Sequence, residues 1–102
     1  MEKKYVFIQA GLRSPIGKKG GIWKNTTPEE FTAPLLKELA QSCMPNDVLL
    51  ATSLGTGGNM ARYITIQAGL PLSCLAATID GQCAGAIKAL QVGMAQIISG
   101  QS

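Results

Sequence analysis

Histidine is absent from this 102-residue sequence. Its absence removes the commonest general base and the commonest metal ligand from any chemistry carried here. Aromatic side chains are few, at two Tyr, two Phe and one Trp, too few to build a platform on which bases could stack. Charge is sparse as well, at 15% of residues, and the net charge is only +3. The basic residues Lys3, Lys4, Arg13, Lys18, Lys19, Lys24, Lys37, Arg62 and Lys88 are scattered and form no stripe, so no nucleic-acid partner is expected. Long apolar runs are missing too. The most apolar late stretch is broken by Lys88, Gln91 and Gln96, and no membrane span or membrane partner is expected. Near the N-terminus, the run Tyr5, Val6, Phe7 and Ile8 is cut by Gln9 and precedes no small-residue cleavage site, which reads as a strand and not a secretory leader. The three cysteines, Cys43, Cys74 and Cys83, are odd in number and lack metal-site spacing. No metal site is expected, and a reducing cytoplasm fits best.

What is present is core material: 46% of residues are apolar, enough for one domain, although a chain of this size buries only somewhat over ~60% of its unfolded surface. Residues 5–10 are rich in aromatic and β-branched side chains and stop at Gly11, the pattern of a first strand. A polar, glycine-rich loop follows over 11–25, long enough to serve either a function or packing against another part of the fold. Thr27 and Glu30 form a capping box with Pro28 at the first helical position. The spacing predicts a helix with Phe31, Leu35, Leu39 and Cys43 inward, and either a kink at Pro34 or a helix that begins near Ala33. A second strand is predicted over 47–53. A second helix over 60–68 ends at Gly69 and Pro71, a third strand covers 75–79, and a last helix runs from about Cys83 to Ser99. Strands alternating with helices give an α/β fold with a parallel sheet. In the last helix, Ile87, Leu90, Met94 and Ile97 form an apolar stripe. Gly85, Ala89 and Gly93 form a strip with almost no side chain, which predicts a buried helix approached closely on more than one side.

Two constellations can carry chemistry. Cys83 stands where a strand, a tight turn and a helix meet, so the sulfur can be presented at the sheet's carboxyl edge and the helix dipole favours a thiolate. The competing reading is a cysteine that fills a small hole in the core; Cys43 and Cys74 carry that plainer reading. The second constellation is Gly55, Thr56, Gly57, Gly58, Asn59 and Met60 between a strand and a helix, with Asp80 ending the next strand. It imitates a dinucleotide-binding fingerprint, in which glycines admit a pyrophosphate and an acid holds a ribose hydroxyl. Met60 stands at the third glycine position, where a side chain obstructs close packing.

Four segments in order carry a family likeness: Arg13-Ser14-Pro15-Ile16-Gly17-Lys18-Lys19-Gly20-Gly21; Gly58-Asn59-Met60-Ala61-Arg62; Gln67-Ala68-Gly69-Leu70-Pro71; and Thr78-Ile79-Asp80-Gly81-Gln82-Cys83-Ala84-Gly85-Ala86-Ile87-Lys88-Ala89. Over nearly its whole length the chain resembles the N-terminal half-domain of thiolases, with the last segment similar to the family's nucleophile turn. The likeness implies a thiolase-like, layered sheet with helices on its faces, incomplete within residues 1–102, which end after the nucleophile-bearing helix. It implies an acyl-CoA or acetyl-CoA substrate, with Cys83 forming an acyl thioester in making or cleaving a 3-ketoacyl-CoA. No cofactor is implied beyond coenzyme A as part of the substrate, and the full-length protein is expected to be a homo-oligomer, a dimer or tetramer. The activating histidine, second cysteine and CoA-gripping loop of thiolases have no counterpart here, so this chain alone is expected to be inactive. Two features depart from the pattern: Gly85 replaces a serine after the nucleophile, and Asp80-Gly81-Gln82 replaces a commoner asparagine-containing turn. The alternatives are a dinucleotide-binding module built on the segment Gly55-Thr56-Gly57-Gly58 with Asp80, or an inactive interaction fragment of a split protein.

Overall fold

The capping box closes as the sequence predicts. In the computed structural model, which describes residues 5–53, 55 and 58–102, the Glu30 N–H donates to the Thr27 hydroxyl at 3.2 Å and the Thr27 N–H donates to the Glu30 carboxylate at 3.3 Å. A cap of this kind contributes about 1 kcal/mol. It starts helix α1, Pro28–Ser42, which continues through Pro34 and does not begin at Ala33. The buried face of α1 is Ala33 and Ala40, with Leu36 packed on the same core. The predicted face is corrected by one helical step. Phe31 turns instead to the 11–25 loop, where it meets Trp23 with ring centroids 5.2 Å apart, and Cys43 is exposed. The Trp23 indole N–H donates to the Pro15 carbonyl at 2.8 Å, so the loop is folded over against α1.

Strand β1, Asp47–Ala51, pairs in parallel with β2, Leu75–Ile79, in the register Asp47 to Leu75 through Ala51 to Ile79. Between them runs α2, Met60–Gln67, a βαβ unit. Helix α2 ends in a Schellman motif: the Leu70 N–H reaches the Thr65 carbonyl at 3.0 Å, the Gly69 N–H reaches Ile66 at 3.0 Å, and Gly69 takes φ +77°. Leu70 is thereby buried beside Met60, Ile64, Ala68 and Cys74. Val48 and Leu50 of β1 pack on this core, while Asp47, Leu49 and Ala51 face the other way and line a groove against the last helix.

That helix, α3, spans Gly85–Ile98 and follows a single 3₁₀ turn at Gln82–Ala84, so the α-helix opens two residues after Cys83. Its small-residue strip meets the sheet: a β-carbon at Gly85 would lie 3.2 Å from the Ala51 methyl, and one at Gly93 would lie 3.5 Å from Leu49. The apolar stripe is not buried, with Ile87 61% and Leu90 54% exposed. Among the described residues α3 therefore packs against the sheet on one side, chiefly on β1.

Residues 5–10 are not a strand; the described sheet has two strands and not three. Tyr5, Phe7 and Ile8 stay exposed, and only Val6 reaches the α3–β1 groove. The physical reason is that β-propensity measures how well side chains suit a pleated, half-buried surface, and it supplies neither a ladder partner nor a covering layer. The chain exposes 7716 Å², against roughly 5,500 Å² for a compact monomer of its mass.

Candidate active site

Because β1 and β2 are parallel and in register, the segments leaving them emerge at one carboxyl edge: among the described residues, 52, 53, 55, 58 and 59 after β1 and 80–84 after β2. Ligands of open α/β sheets bind in the crevice outside such an edge. Both constellations singled out in the sequence lie there, apart from Thr56 and Gly57, which fall outside the described residues.

The Cys83 turn is held from several directions. The ladder runs on past β1, with the Thr52 N–H donating to the Ile79 carbonyl at 3.1 Å. Immediately beyond, the Asp80 carboxylate accepts the Gln82 N–H at 3.0 Å and the Gln82 side-chain amide at 3.4 Å. Gln82 is the one non-glycine residue at positive φ, +52°, among the described residues, a conformation that costs a side-chain-bearing residue about 1–2 kcal/mol. Gly81 permits the tightness, because a β-carbon there would come within 3.0 Å of the Gly85 Cα. The Ala84 N–H donates to the Gly81 carbonyl at 3.0 Å, and the Gly85 N–H donates to that of Gln82. Cys83, at the centre of the turn, is exposed, whereas Gly85 is buried beneath it against β1. Among the described residues Cys83 therefore fills no hole in the core.

The glycine-rich constellation is differently employed. Asn59 caps α2 by accepting the Arg62 N–H at 3.2 Å, and its amide donates to the Ala76 carbonyl at 3.0 Å. The Thr78 hydroxyl donates to Asn59 Oδ1 at 2.6 Å and accepts the Ala61 N–H at 2.9 Å. These first-turn N–H groups are the ones a pyrophosphate would use, and they are already occupied. Met60 is buried in the core, and the Asp80 carboxylate holds the Cys83 turn. Among the described residues the geometry does not support a dinucleotide site here. The Asn59–Thr78 bracket was not apparent from the residues, because its partners lie 19 positions apart; the recognisable signal was an asparagine at a helix start.

The other two cysteines differ from each other: Cys43 is exposed, like Cys83 and against the core-filling role expected of it, whereas Cys74 is buried. Cys74 is 3% exposed, and its sulfur lies 3.5 Å from the Leu75 carbonyl. Burial pushes its thiol up from the usual range, the Asp47 carboxylate adds to this, and the Arg62 guanidinium opposes it. Arg62 donates to the carbonyls of Cys74 at 2.9 Å and Leu72 at 3.4 Å. Among the described residues, no group of three His, Cys, Asp or Glu side chains is placed to hold a metal ion. No described helix is long and apolar enough to cross a membrane.

A parallel βαβ unit whose second strand feeds through a strained turn into a cysteine-bearing helix mouth belongs to the α/β proteins that work at a sheet's carboxyl edge. Comparison with known proteins makes this specific: the chain belongs to the thiolase family, matching the thiolase N-terminal domain over residues 6–102. It is 36% identical over 90 residues to YhfS of Bacillus subtilis, provisionally named an acetyl-CoA C-acetyltransferase, covering 86% of this chain and 25% of that protein. It is 34% identical over 98 residues to the similarly named VraB of Staphylococcus aureus, covering 91% and 26%. With a 3-ketoacyl-CoA thiolase of a Marinomonas species it shares 35% identity over 107 aligned positions, covering 94% and 27%. The chain thus spans about a quarter of the length of these relatives.

Proposed function

We propose that this chain supplies the nucleophile of an acyl-CoA acyltransferase of the thiolase type, and that Cys83 is that nucleophile. The observation that carries the reading is the exposed Cys83 at the mouth of α3, on the carboxyl edge of the sheet, within a chain of this family. The Cys83 thiolate attacks the acyl-CoA carbonyl, a new thioester forms on Sγ, and the bond to the CoA sulfur breaks, releasing CoA as a thiolate that takes up a proton. In the forward direction the acyl group passes to the carbanion of a second acyl-CoA; in the reverse direction it returns to CoA. Such a nucleophile works best beside a base, and no histidine is present in these 102 residues. The cycle is therefore completed only with residues supplied from outside them, in a full-length protein that works in a reducing cytoplasm as a homo-oligomer.

Incubation of the full-length protein with labelled acetyl-CoA tests this. After quenching, the label is expected on Cys83, is lost in Cys83→Ser, and persists in Cys43→Ser and Cys74→Ser. Label retained in full by Cys83→Ser ends the proposal.

A further inference from the structure

We infer that Asp80 is a positioning residue for Cys83: its carboxylate clamps Gln82 in the left-handed conformation that turns the neighbouring sulfur outward. The inference rests on the reading of Cys83 as nucleophile and adds to it a residue that acts through the backbone.

Three observations converge. Gln82 carries a side chain yet sits at φ +52°, so something must hold it there. Asp80 Oδ1 supplies two bonds to that one residue, from its backbone N–H at 3.0 Å and from its side-chain amide at 3.4 Å. On its far side the turn is close-packed: a β-carbon at Gly81 would lie 3.0 Å from the Gly85 Cα, and one at Gly85 would lie 3.2 Å from the Ala51 methyl. If Gln82 returns to the common backbone region, the path from 80 to 84 must change, and the sulfur at 83 moves with it. Asp80 is exposed and Asp80 Oδ1 is the atom engaged. The interaction needs an acceptor oxygen at that place, not a negative charge, and an asparagine provides one equally well.

Alkylation of Cys83 by iodoacetamide in the intact protein, with peptide mapping to score Cys43 and Cys74 separately, measures how the sulfur is presented without relying on acyl transfer. Asp80→Ala is expected to slow alkylation of Cys83 about fivefold, the effect of losing roughly one hydrogen bond. Asp80→Asn keeps the acceptor and holds the rate at or above that of the parent. In a Gln82→Gly background, where the left-handed conformation is free of strain, Asp80→Ala has no further effect. The clamp is overturned if Asp80→Ala leaves the Cys83 rate unchanged, if Asp80→Asn is as slow as Asp80→Ala, or if Gln82→Gly fails to suppress the Asp80→Ala loss. The expected alkylation pattern without acyl labelling of Cys83 would remove the acyl-transfer reading and leave the clamp standing.

Discussion

The two faces of the β1–β2 sheet carry similar apolar material and fare differently. On one face, α1 and α2 close over Val48 and Leu50, and Ile64 is 1% exposed. On the other, α3 touches β1 through its glycines and leaves Ile87, Leu90, Met94 and Ile97 at the surface; Leu75 on β2 is 64% exposed. The difference lies in the covering layer and not in the composition. A helix stripe at the right period states that a surface is apolar, and only the rest of the fold decides whether it is buried. The exposed face is also the one that supports the Cys83 turn, through the contact of Gly85 with Ala51.

The same substitution on each face tests this contrast, with urea denaturation of the chain as the readout. Ile64→Ala removes a fully buried side chain and is expected to cost about 3 kcal/mol. Cys74→Ala, on the same covered side, is expected to cost roughly 1 kcal/mol at neutral pH for the small void it leaves. Its cost should shrink under alkaline conditions. The folded thiol is held above its ordinary range, chiefly by burial, so on raising the pH the unfolded chain gives up its proton first. Stability is then full below the ordinary thiol range and lost above it. A parent that loses no more stability than Cys74→Ala between pH 7 and pH 10 would contradict the buried placement of this sulfur. Ile87→Ala deletes the same atoms as Ile64→Ala at a 61% exposed site and is expected to change stability by under about 0.5 kcal/mol. Equal costs at positions 64 and 87 would mean that the α3 face is covered in solution.

The elements that read correctly from the sequence are those whose signals are local. Thr27, Glu30 and Pro28 mark the start of α1 within four residues, and Gly69 marks the end of α2 because it takes the left-handed conformation at no steric cost. Helical period left two inner faces open for α2, Met60, Ile64 and Ala68 or Tyr63 and Ile66, and the fold buries the first. The failures lie where the outcome depends on distant partners. Tyr5, Val6, Phe7 and Ile8 have strand-forming side chains without a ladder, and Phe31 is drawn off the core by Trp23, eight residues away. The position of Cys83 at a turn and helix mouth was legible because strand, glycine and helix signals meet there. Its support by Asp80 was not, since Asp80 fits a ribose-binding role and a turn-forming role equally well until the Gln82 backbone is seen.

The Arg62 fork and the Asn59–Thr78 bracket have a consequence for how the chain acquires its shape. Their bonds join residues only 10 to 19 positions apart, and closing such short segments costs little entropy. Helix α2, the connection after it and β2 can therefore assemble as a local unit before either end of the chain has found its place. The strand leading to Cys83 is in this way tied to α2 by side-chain bonds of short sequence separation.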